Sequence, residues 1–495
     1  MTYSRTSSPL TPQGLIGRHR TRTLRTARTA DRIREFLRLQ NGVHAAEVRP
    51  ATEDGRLLAT VWVEDNAYGL PRRTLPDGTS LYELNPYETD YLLQEIFEDR
   101  VYAISGPRMP ARPLIIDIGA NIGLCSLYMA RTYPEATVYA FEPSPDAFTA
   151  LAANVSELGL PVVVLPWAVG GTDGTATMTV YPGATVYSGL YADGTGDHAA
   201  ISAAIDAAVD TGTEAGTRLA GEIAVARMRG ARPAQVTVTG LHGVLARLGG
   251  ATVDLLKLDA EGAEADILGS LDETDWARIR QIIMEVHHEA DVTALVALLT
   301  AAGYDCRVES VAALRGTGYR NVHAIRRDEA AGRTPPGPGT ATPGPLRSVP
   351  PPSPDERLRQ ALDAFLGDGR PQVELEVRRR APADDAVART GTDGSTAMSG
   401  TDTTAMSGTD TASPSLADPR TLAAVTALWT DLLARPTGPQ DDFFAVGGTS
   451  LAAVRMLARL RERFGGELGL ADLLEDPTPS GLATRLTSPF TRKDN

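Results

Sequence analysis

Residues 113–123 read Pro-Leu-Ile-Ile-Asp-Ile-Gly-Ala-Asn-Ile-Gly. The apolar and β-branched run 114–118 is typical of a parallel strand that is buried on both faces. Gly119 and Gly123 then mark a turn, and an apolar pattern resumes as a helix over 124–131. A strand, a glycine turn and a helix in this order begin a doubly wound α/β sheet, in which ligands bind at the carboxyl ends of the strands.

A second short strand at 138–143 also ends in an acid, Glu142, 19 residues after Gly123. The turn lacks the middle glycine of a dinucleotide-binding loop, and the carboxylate of Asp117 would repel a pyrophosphate. It would attract an ammonium or a sulfonium ion, and S-adenosylmethionine carries both. Glu142 can accept hydrogen bonds from both ribose hydroxyls. The pattern predicts a methyl-donor pocket; the alternative is an ordinary strand-turn-helix with a solvated acid at a strand end.

Further motifs accompany this pocket. They are Leu75-Pro76-Asp77-Gly78, Glu95-Ile96-Phe97-Glu98-Asp99-Arg100-Val101-Tyr102, Phe141-Glu142-Pro143, Asp254-Leu255-Leu256-Lys257-Leu258-Asp259-Ala260-Glu261-Gly262-Ala263-Glu264 and Met284-Glu285-Val286-His287. With them, the stretch from about 76 to 326 resembles the FkbM-type family of S-adenosylmethionine-dependent methyltransferases. The element Lys-x-Asp-x-Glu-Gly-x-Glu is the most specific mark of that family. The resemblance implies a class I methyltransferase fold, Rossmann-like with a mostly parallel seven-stranded sheet, and O-methylation of a hydroxyl.

The predicted site has a donor side and an acceptor side. We assign S-adenosylmethionine binding to Asp117, Gly119, Asn121, Gly123, Glu142 and Ala168. For catalysis, Asp259 is the first choice next to the transferred methyl group, His287 the second because it titrates near neutral pH, and Glu261 a third. Lys257 is expected to pair with an acid, and Glu261 can also have a purely structural role. The clustered acids could bind a divalent cation, but their spacing is not diagnostic, and we predict no metal.

A separate motif, Asp442-Phe443-Phe444-Ala445-Val446-Gly447-Gly448-Thr449-Ser450-Leu451, lies near the end of the chain. Two glycines before a serine at a helix start leave its hydroxyl accessible, next to free backbone N–H groups that favour a phosphate. The stretch resembles the peptidyl carrier proteins of nonribosomal peptide synthetases. The resemblance implies that Ser450 carries covalent 4′-phosphopantetheine. The alternative is a plain serine N-cap.

Composition limits the other possibilities. A chain of 495 residues is expected to hold two or three domains. Its net charge, 48 minus 62 or −14, disfavours nucleic acid as a partner. Two cysteines give no disulfide framework, and no apolar run approaches the ~20 residues that span a bilayer. With no visible signal peptide, we expect a cytoplasmic protein without a membrane partner.

Composition shifts divide the chain into segments. Within them, 181–230 is either a lid or a surface insertion, and the pattern over 355–380 predicts a helix and a strand that form a small appendage. We predict a basic N-terminal arm at 1–40, a cap at 41–112, the methyltransferase core at 113–327, a Pro/Gly/Ser/Thr-rich linker at 328–415 and a four-helix carrier domain at 416–488.

The combined prediction is an O-methyltransferase fused to a carrier domain in nonribosomal peptide or polyketide biosynthesis. Its expected partners are a carrier-bound acyl or peptidyl substrate, a phosphopantetheinyl transferase, and adenylation, condensation or thioesterase domains. N- or C-methylation of the same kind of intermediate is an alternative. A carrier and scaffold protein with an inactive methyltransferase half is another, although Asp117, Gly119, Gly123 and Glu142 argue against it.

Overall fold

A computed structural model gives the fold. It describes residues 27–51, 56–103, 109–192, 194–209, 214–287, 289–310, 319–327, 346–367, 372–379, 418–433, 435–441, 443, 450–465, 468–469, 472–473 and 476–487. Residues 1–26 of the predicted arm 1–40, most of the linker and Gly447-Gly448 lie outside these residues. Within them, no helix is both long enough and apolar enough to cross a membrane.

The elements are numbered in chain order. The strands are β1 Val43–Pro50, β2 Leu57–Val63, β3 Arg72–Thr74, β4 Ser80–Tyr82, β5 Leu114–Ile118, β6 Thr137–Phe141, β7 Val162–Leu165, β8 Trp167–Gly170, β9 Gly174–Val180, β10 Arg232–Gly240, β11 Leu255–Leu258, β12 Gln281–Val286, β13 Tyr304–Ser310, β14 Arg320–Arg326 and β15 Val373–Arg379. The helices are α1 27–38, α2 Pro86–Leu93, α3 Leu124–Thr132, α4 Pro145–Leu158, α5 Gly194–Val209, α6 Glu214–Met228, α7 Leu241–Arg247, α8 Glu264–Gly269, α9 Glu273–Trp276, α10 Glu289–Ala301, α11 Pro354–Leu366, α12 Pro419–Leu432, α13 Ser450–Phe464 and α14 Pro479–Thr487. A π-helical turn, Gln94–Glu98, continues α2, and a 3-10 turn spans Thr185–Tyr187.

The central sheet has seven strands in the order β13-β14-β12-β11-β5-β6-β7. The pairs from β12 through β7 are parallel, whereas β14 is antiparallel to both β12 and β13. The order reverses between β5 and β11, and this reversal opens a crevice at the carboxyl ends of the strands. The predicted class I methyltransferase fold is confirmed.

Two apolar clusters cover the two faces of this sheet. Ile116, Leu256 and Met284 belong to one cluster, and their chain neighbours Ile115 and Leu255 belong to the other. Successive side chains of a strand point to opposite faces, so an unbroken apolar strand must be covered on both sides. All five side chains are fully buried, and each contributes roughly 1.5–3 kcal/mol of transfer free energy.

The two flanks of the methyltransferase core fold together. Strand β15 pairs in parallel with β2, which pairs antiparallel with β1, and α1 and α11 share one apolar cluster with this sheet. Arg357 of α11 and Arg232 of β10 each place a guanidinium nitrogen 3.0 Å from a carboxylate oxygen of Asp146. Residues 346–367 and 372–379, which lie within the expected linker 328–415, are therefore folded against the core. These two segments do not behave as linker. The domain boundaries themselves stay predictions.

The expected cap at 41–112 divides between two places. Strands β1 and β2 belong to the flank sheet, whereas α2 and the π-helical turn approach the crevice. The expected lid region 181–230 also divides. Thr185–Tyr187 reaches the crevice, and α5 and α6 form a helical pair between β9 and β10.

The carrier segment contains α12, α13 and α14. The fully buried ring of Trp429 packs edge-on against Phe443, with 4.8 Å between ring centroids. A four-helix carrier needs one more helix between α13 and α14; residues 472–473 there are helical, and 470, 471, 474 and 475 lie outside the described residues.

Candidate functional site

A cavity opens at the carboxyl ends of β5, β6 and β11, where the crevice was expected. One side is formed by the glycine turn after β5 and by the acid that follows β6. The other side is formed by acids and tyrosines from α2, the π-helical turn and the ends of β11 and β12. The lining residues used below are Tyr91, Glu95, Tyr102, Gly119, Asn121, Glu142, Trp167, Ala168, Tyr187, Lys257, Asp259, Glu261, Glu285 and Tyr319.

The glycine turn brings backbone close to backbone. Gly119 has φ +73°, and a Cβ atom there would lie 1.8 Å from the carbonyl oxygen of Asp259. Gly123 has φ +91° and caps α3, and its Cβ would lie 2.7 Å from a methyl carbon of Leu151. Both positions therefore require glycine. Gly119 lines the cavity, whereas Gly123 does not, so Gly123 shapes the turn and does not fit the ligand contact that we expected.

Glu142 fixes the other end of the donor side. Its Oε2 accepts a hydrogen bond from the backbone N–H of Asn121, and its Oε1 accepts one from that of Ser144, both at 2.8 Å. Burial raises the pKa of Glu142 to about 7, although the two backbone N–H groups oppose the rise. Each oxygen keeps a second lone pair, and Glu142, Asn121 and Ala168 all line the cavity. Their contact with the methyl donor stays a prediction.

Asp117 does not line the cavity, so the predicted direct contact with the donor does not fit the structure. Its side chain is fully buried, accepts a hydrogen bond from Ser126 Oγ at 2.6 Å, and lies 3.4 Å from Lys257 Nζ. Lys257 in turn donates to the carbonyls of Ile118 and Gly119 at 3.2 and 2.7 Å. Asp117 lies on a strand that is buried on both faces, two residues before Gly119. Its carboxylate pairs with Lys257, and the ammonium group of Lys257 in turn holds the carbonyls of the turn.

The three predicted catalytic residues meet at one point. His287 Nε2 lies 3.3 Å from Glu261 Oε2 and 3.6 Å from Asp259 Oδ1, while its Nδ1 lies 3.2 Å from Glu264 Oε1. Asp259 Oδ2 is 3.3 Å from Lys257 Nζ, so Lys257 pairs with acids as expected. Glu261 is a non-glycine residue with φ +49°, a strained conformation that concentrates at functional sites.

Burial and charge set the protonation of this cluster. Burial opposes a charge on His287, but Glu261 and Glu264 raise its pKa well above the ordinary value. Burial raises the pKa of Glu261 to about 7, against the opposing charge of His287. Burial and the neighbouring acids Asp259 and Glu95 raise the pKa of Glu285 well above its ordinary value. Burial thus favours the neutral forms of Glu261 and Glu285, whereas the acids around His287 favour its protonated form.

Sequence reasoning missed several cavity residues. Tyr91, Glu95, Tyr102 and Tyr319 all line the cavity, and Tyr91 donates a hydrogen bond to Glu95 at 3.2 Å. Burial and the nearby Asp259 raise the pKa of Glu95 to about 7. The motif that contains Glu95 was visible, but nothing in one helical segment shows which of its acids turns inward.

One atom each from Asp259, Glu261 and His287 lies within 4.8 Å of the others, a spacing that a metal ion could use. For the carrier motif, Ser450 is the first residue of α13, whereas 444–449 lie outside the described residues.

Family models match both halves of the chain. One described as methyltransferase FkbM domain matches residues 117–306, and one described as phosphopantetheine attachment site matches residues 423–486. The 31-O-demethyl-FK506 methyltransferase FkbM of Streptomyces tacrolimicus is 33% identical over 253 residues, which are 51% of this chain and 95% of that protein. The chain belongs to the FkbM methyltransferase family. It is an S-adenosylmethionine-dependent methyltransferase with a domain for covalent 4′-phosphopantetheine.

Other relatives of this FkbM-family chain include assembly-line synthetases. The AMB antimetabolite synthetase AmbE of Pseudomonas aeruginosa is 32% identical over 438 residues, which are 85% of this chain and 20% of AmbE. This chain thus spans about a fifth of that relative's length. Pyochelin synthetase PchE of P. aeruginosa is 47% identical over 64 residues, 13% of this chain and 4% of that protein. A solved FkbM methyltransferase from Methylobacillus flagellatus has a TM-score of 0.28 at 11% identity, covering 44% of each chain.

Proposed function

We propose that this enzyme transfers the methyl group of S-adenosylmethionine to a hydroxyl oxygen of an acyl or peptidyl intermediate in nonribosomal peptide or polyketide biosynthesis. The observation that carries the proposal is a single cavity with two chemically different sides. The donor-side residues Gly119, Asn121, Glu142 and Ala168 line it together with the acids and tyrosines of the acceptor side.

The donor side fits a nucleoside. Gly119 lets the turn after β5 lie directly against the backbone of Asp259, and the free lone pairs of Glu142 suit a pair of ribose hydroxyls. Lys257, held by Asp117 and Asp259, fixes the carbonyls that shape the turn. When bound, S-adenosylmethionine supplies a methyl group that is already activated.

The protein must then orient the acceptor hydroxyl and remove its proton. We infer that Glu261 is the base, because burial raises its pKa to about 7, the range in which a general base works best at neutral pH. His287 is charged and stabilises the Glu261 carboxylate, and Asp259 is held by Lys257 as an orienting group. The structure thus favours Glu261 over Asp259, our first choice from sequence. The acceptor proton ends on a Glu261 oxygen.

The carrier domain supplies the intermediate. We infer that Ser450 bears the phosphopantetheine arm after modification by a phosphopantetheinyl transferase, and that the arm holds the acceptor as a thioester. Tethering raises the local concentration of the acceptor without any new contact. Adenylation, condensation or thioesterase domains would load and consume it in a reducing cytoplasm, in keeping with two cysteines that are both free.

Two measurements test this function on the full chain. Calorimetric titration with S-adenosylmethionine should show binding that Glu142→Ala abolishes. Absence of binding by the unmodified chain would exclude the methyltransferase activity and favour a scaffold role. Incubation with coenzyme A and a phosphopantetheinyl transferase should add the mass of one arm, and Ser450→Ala should prevent the gain. A gain that persists in Ser450→Ala would place the arm elsewhere.

A further inference from the structure

The apolar core of the carrier domain continues into the helical pair α5–α6 of the methyltransferase half. One cluster of buried side chains contains members from both halves. From the methyltransferase half they include Ile201, Ile205, Leu219, Ala220, Ile223 and Ala224, and from the carrier Val425, Trp429, Met456, Leu457 and Leu460. A shared core of this kind is a specific interface and differs from two bodies joined only by a tether.

Helix α13 makes this contact, and a charge pair fixes it. It packs against α5, α6 and α2. Arg461 of α13 is 3% exposed in its side chain, and its guanidinium donates to Glu222 Oε2 of α6 at 2.6 Å. By contrast, Arg459 is exposed and pairs within the carrier with Asp431 at 3.2 Å. Only one of these two arginines therefore connects the halves.

The interface reaches the rim of the cavity. Arg227 of α6 lies 3.6 Å above the ring of Tyr87 in α2, and burial raises the pKa of Tyr87 while Arg227 and Arg455 oppose the rise. Tyr87 packs on the shared cluster together with Tyr187, which lines the cavity. Ser450 begins the same helix as Arg455, five residues earlier, or about 8 Å along the helix axis.

We propose that α5–α6 is a docking platform for the carrier domain of the same chain, which brings the helix that begins at Ser450 to the rim of the methyl-transfer cavity. The position of the carrier domain in this inference comes from the interface described above. Its role in methyl transfer rests on the proposed function. It gives the expected lid region a different role, because α5 and α6 contact the carrier and are not among the residues that line the cavity.

Hydrogen exchange on the full chain tests the platform. Glu222→Arg places two like charges across the interface. It also removes an exposed i,i+4 pair with Arg218 of the same helix, 3.9 Å apart; such pairs contribute little, so α6 itself should tolerate the change. We expect roughly tenfold faster exchange over 197–228 and over 450–464, and recovery in the reversed pair Glu222→Arg/Arg461→Glu. Equal exchange in the unmodified chain and in Glu222→Arg would overturn the docking.

The matched control is Arg459→Glu, which reverses a charge on the same helix away from the platform. It should leave exchange over 197–228 unchanged; acceleration equal to that in Glu222→Arg would also overturn the inference. Calorimetry with S-adenosylmethionine separates the two proposals, since Glu222 and Arg461 do not line the cavity. If S-adenosylmethionine does not bind but the exchange protection of the interface is intact, the proposed function is wrong and the docking stands. If S-adenosylmethionine binds but Glu222→Arg does not accelerate exchange, the docking is wrong and the proposed function stands.

Discussion

Lys257 Nζ lies 3.4 Å from Asp117 Oδ1 across two paired strands, and neither side chain is more than 3% exposed. The two residues are register partners between β11 and β5. The same ammonium group reaches Asp259 and the carbonyl of Gly119. One buried charge therefore ties the donor turn to the acids of the acceptor side. Burial opposes the charge of Lys257, but Asp259 and Asp117 raise its pKa above the ordinary value.

Lys257→Met should destabilise the protein by about 3–5 kcal/mol, because it leaves Asp117 as an unpaired charge in the core. Urea unfolding followed by circular dichroism measures the loss. The double variant Asp117→Asn/Lys257→Met removes both charges and should recover part of the stability. If the loss of unfolding free energy in the double variant equals the sum of the losses in the two single variants, the two side chains are not energetically coupled.

Gly119→Ala should abolish donor binding, since its Cβ would lie 1.8 Å from the backbone oxygen of Asp259. Gly159 is a matched control, because it has φ +60° and no atom within 4 Å of the added Cβ. Gly159→Ala should cost about 1 kcal/mol from backbone strain and keep donor binding. Calorimetry with S-adenosylmethionine compares them, and unchanged binding by Gly119→Ala would contradict the close approach seen here.

Glu261→Gln should lower the rate of methyl transfer by roughly 10²–10⁴-fold, because the amide cannot take the acceptor proton. In the unmodified enzyme the rate should fall as the pH drops below about 7, where Glu261 becomes protonated. The assay follows the transfer of a labelled methyl group to the acyl or peptidyl intermediate on the carrier domain, which is purified in its loaded form from the organism that produces it. A Glu261→Gln variant that keeps its rate, with Asp259→Asn inactive, would return the role of base to Asp259.

Much of the donor side could be predicted from local sequence. Gly119, Asn121 and Glu142 follow strands whose apolar runs are unambiguous, and parallel strands end at one edge of a sheet. The clustering of Asp259 and His287 could also be predicted, since they follow the neighbouring strands β11 and β12, and their catalytic roles stay predictions. In each case a short motif fixes both the element and the place where it ends.

The remainder depends on contacts between distant segments. Glu95 faces the cavity because α2 and the π-helical turn cross the crevice. Asp117 is fully buried against Lys257, its register partner on the neighbouring strand, and is not among the residues that line the cavity. Strand β15 pairs with β2 over more than 300 residues, and no local pattern specifies that partner. The protonated form of His287 is likewise favoured by four acids from two neighbouring strands. Three of them, at 259, 261 and 264, follow β11, and Glu285 lies in β12.

Arg357→Met should destabilise the chain by about 3–5 kcal/mol, because Asp146 would keep only one of its two buried arginine partners. Arg359→Met is the matched control on the same helix, since Arg359 is exposed, and it should change stability by less than about 0.5 kcal/mol. Thermal unfolding measures both. Equal melting temperatures would show that the Arg357–Asp146 pair does not contribute to the stability of the chain.

Glu142→Gln should flatten the pH dependence of stability between about pH 4.5 and pH 7. Burial raises the pKa of Glu142 in the folded protein to about 7, so the folded state holds this proton more tightly than the unfolded chain does. Its contribution is fully present below pH 4.5 and is lost as the pH rises through 7, with a slope of up to about 1.4 kcal/mol per pH unit. Urea midpoints at several pH values give the slope for each protein. Other buried acids titrate in both proteins, so the difference between the slopes isolates Glu142, and identical slopes would show that its carboxylate is already ionised when folded.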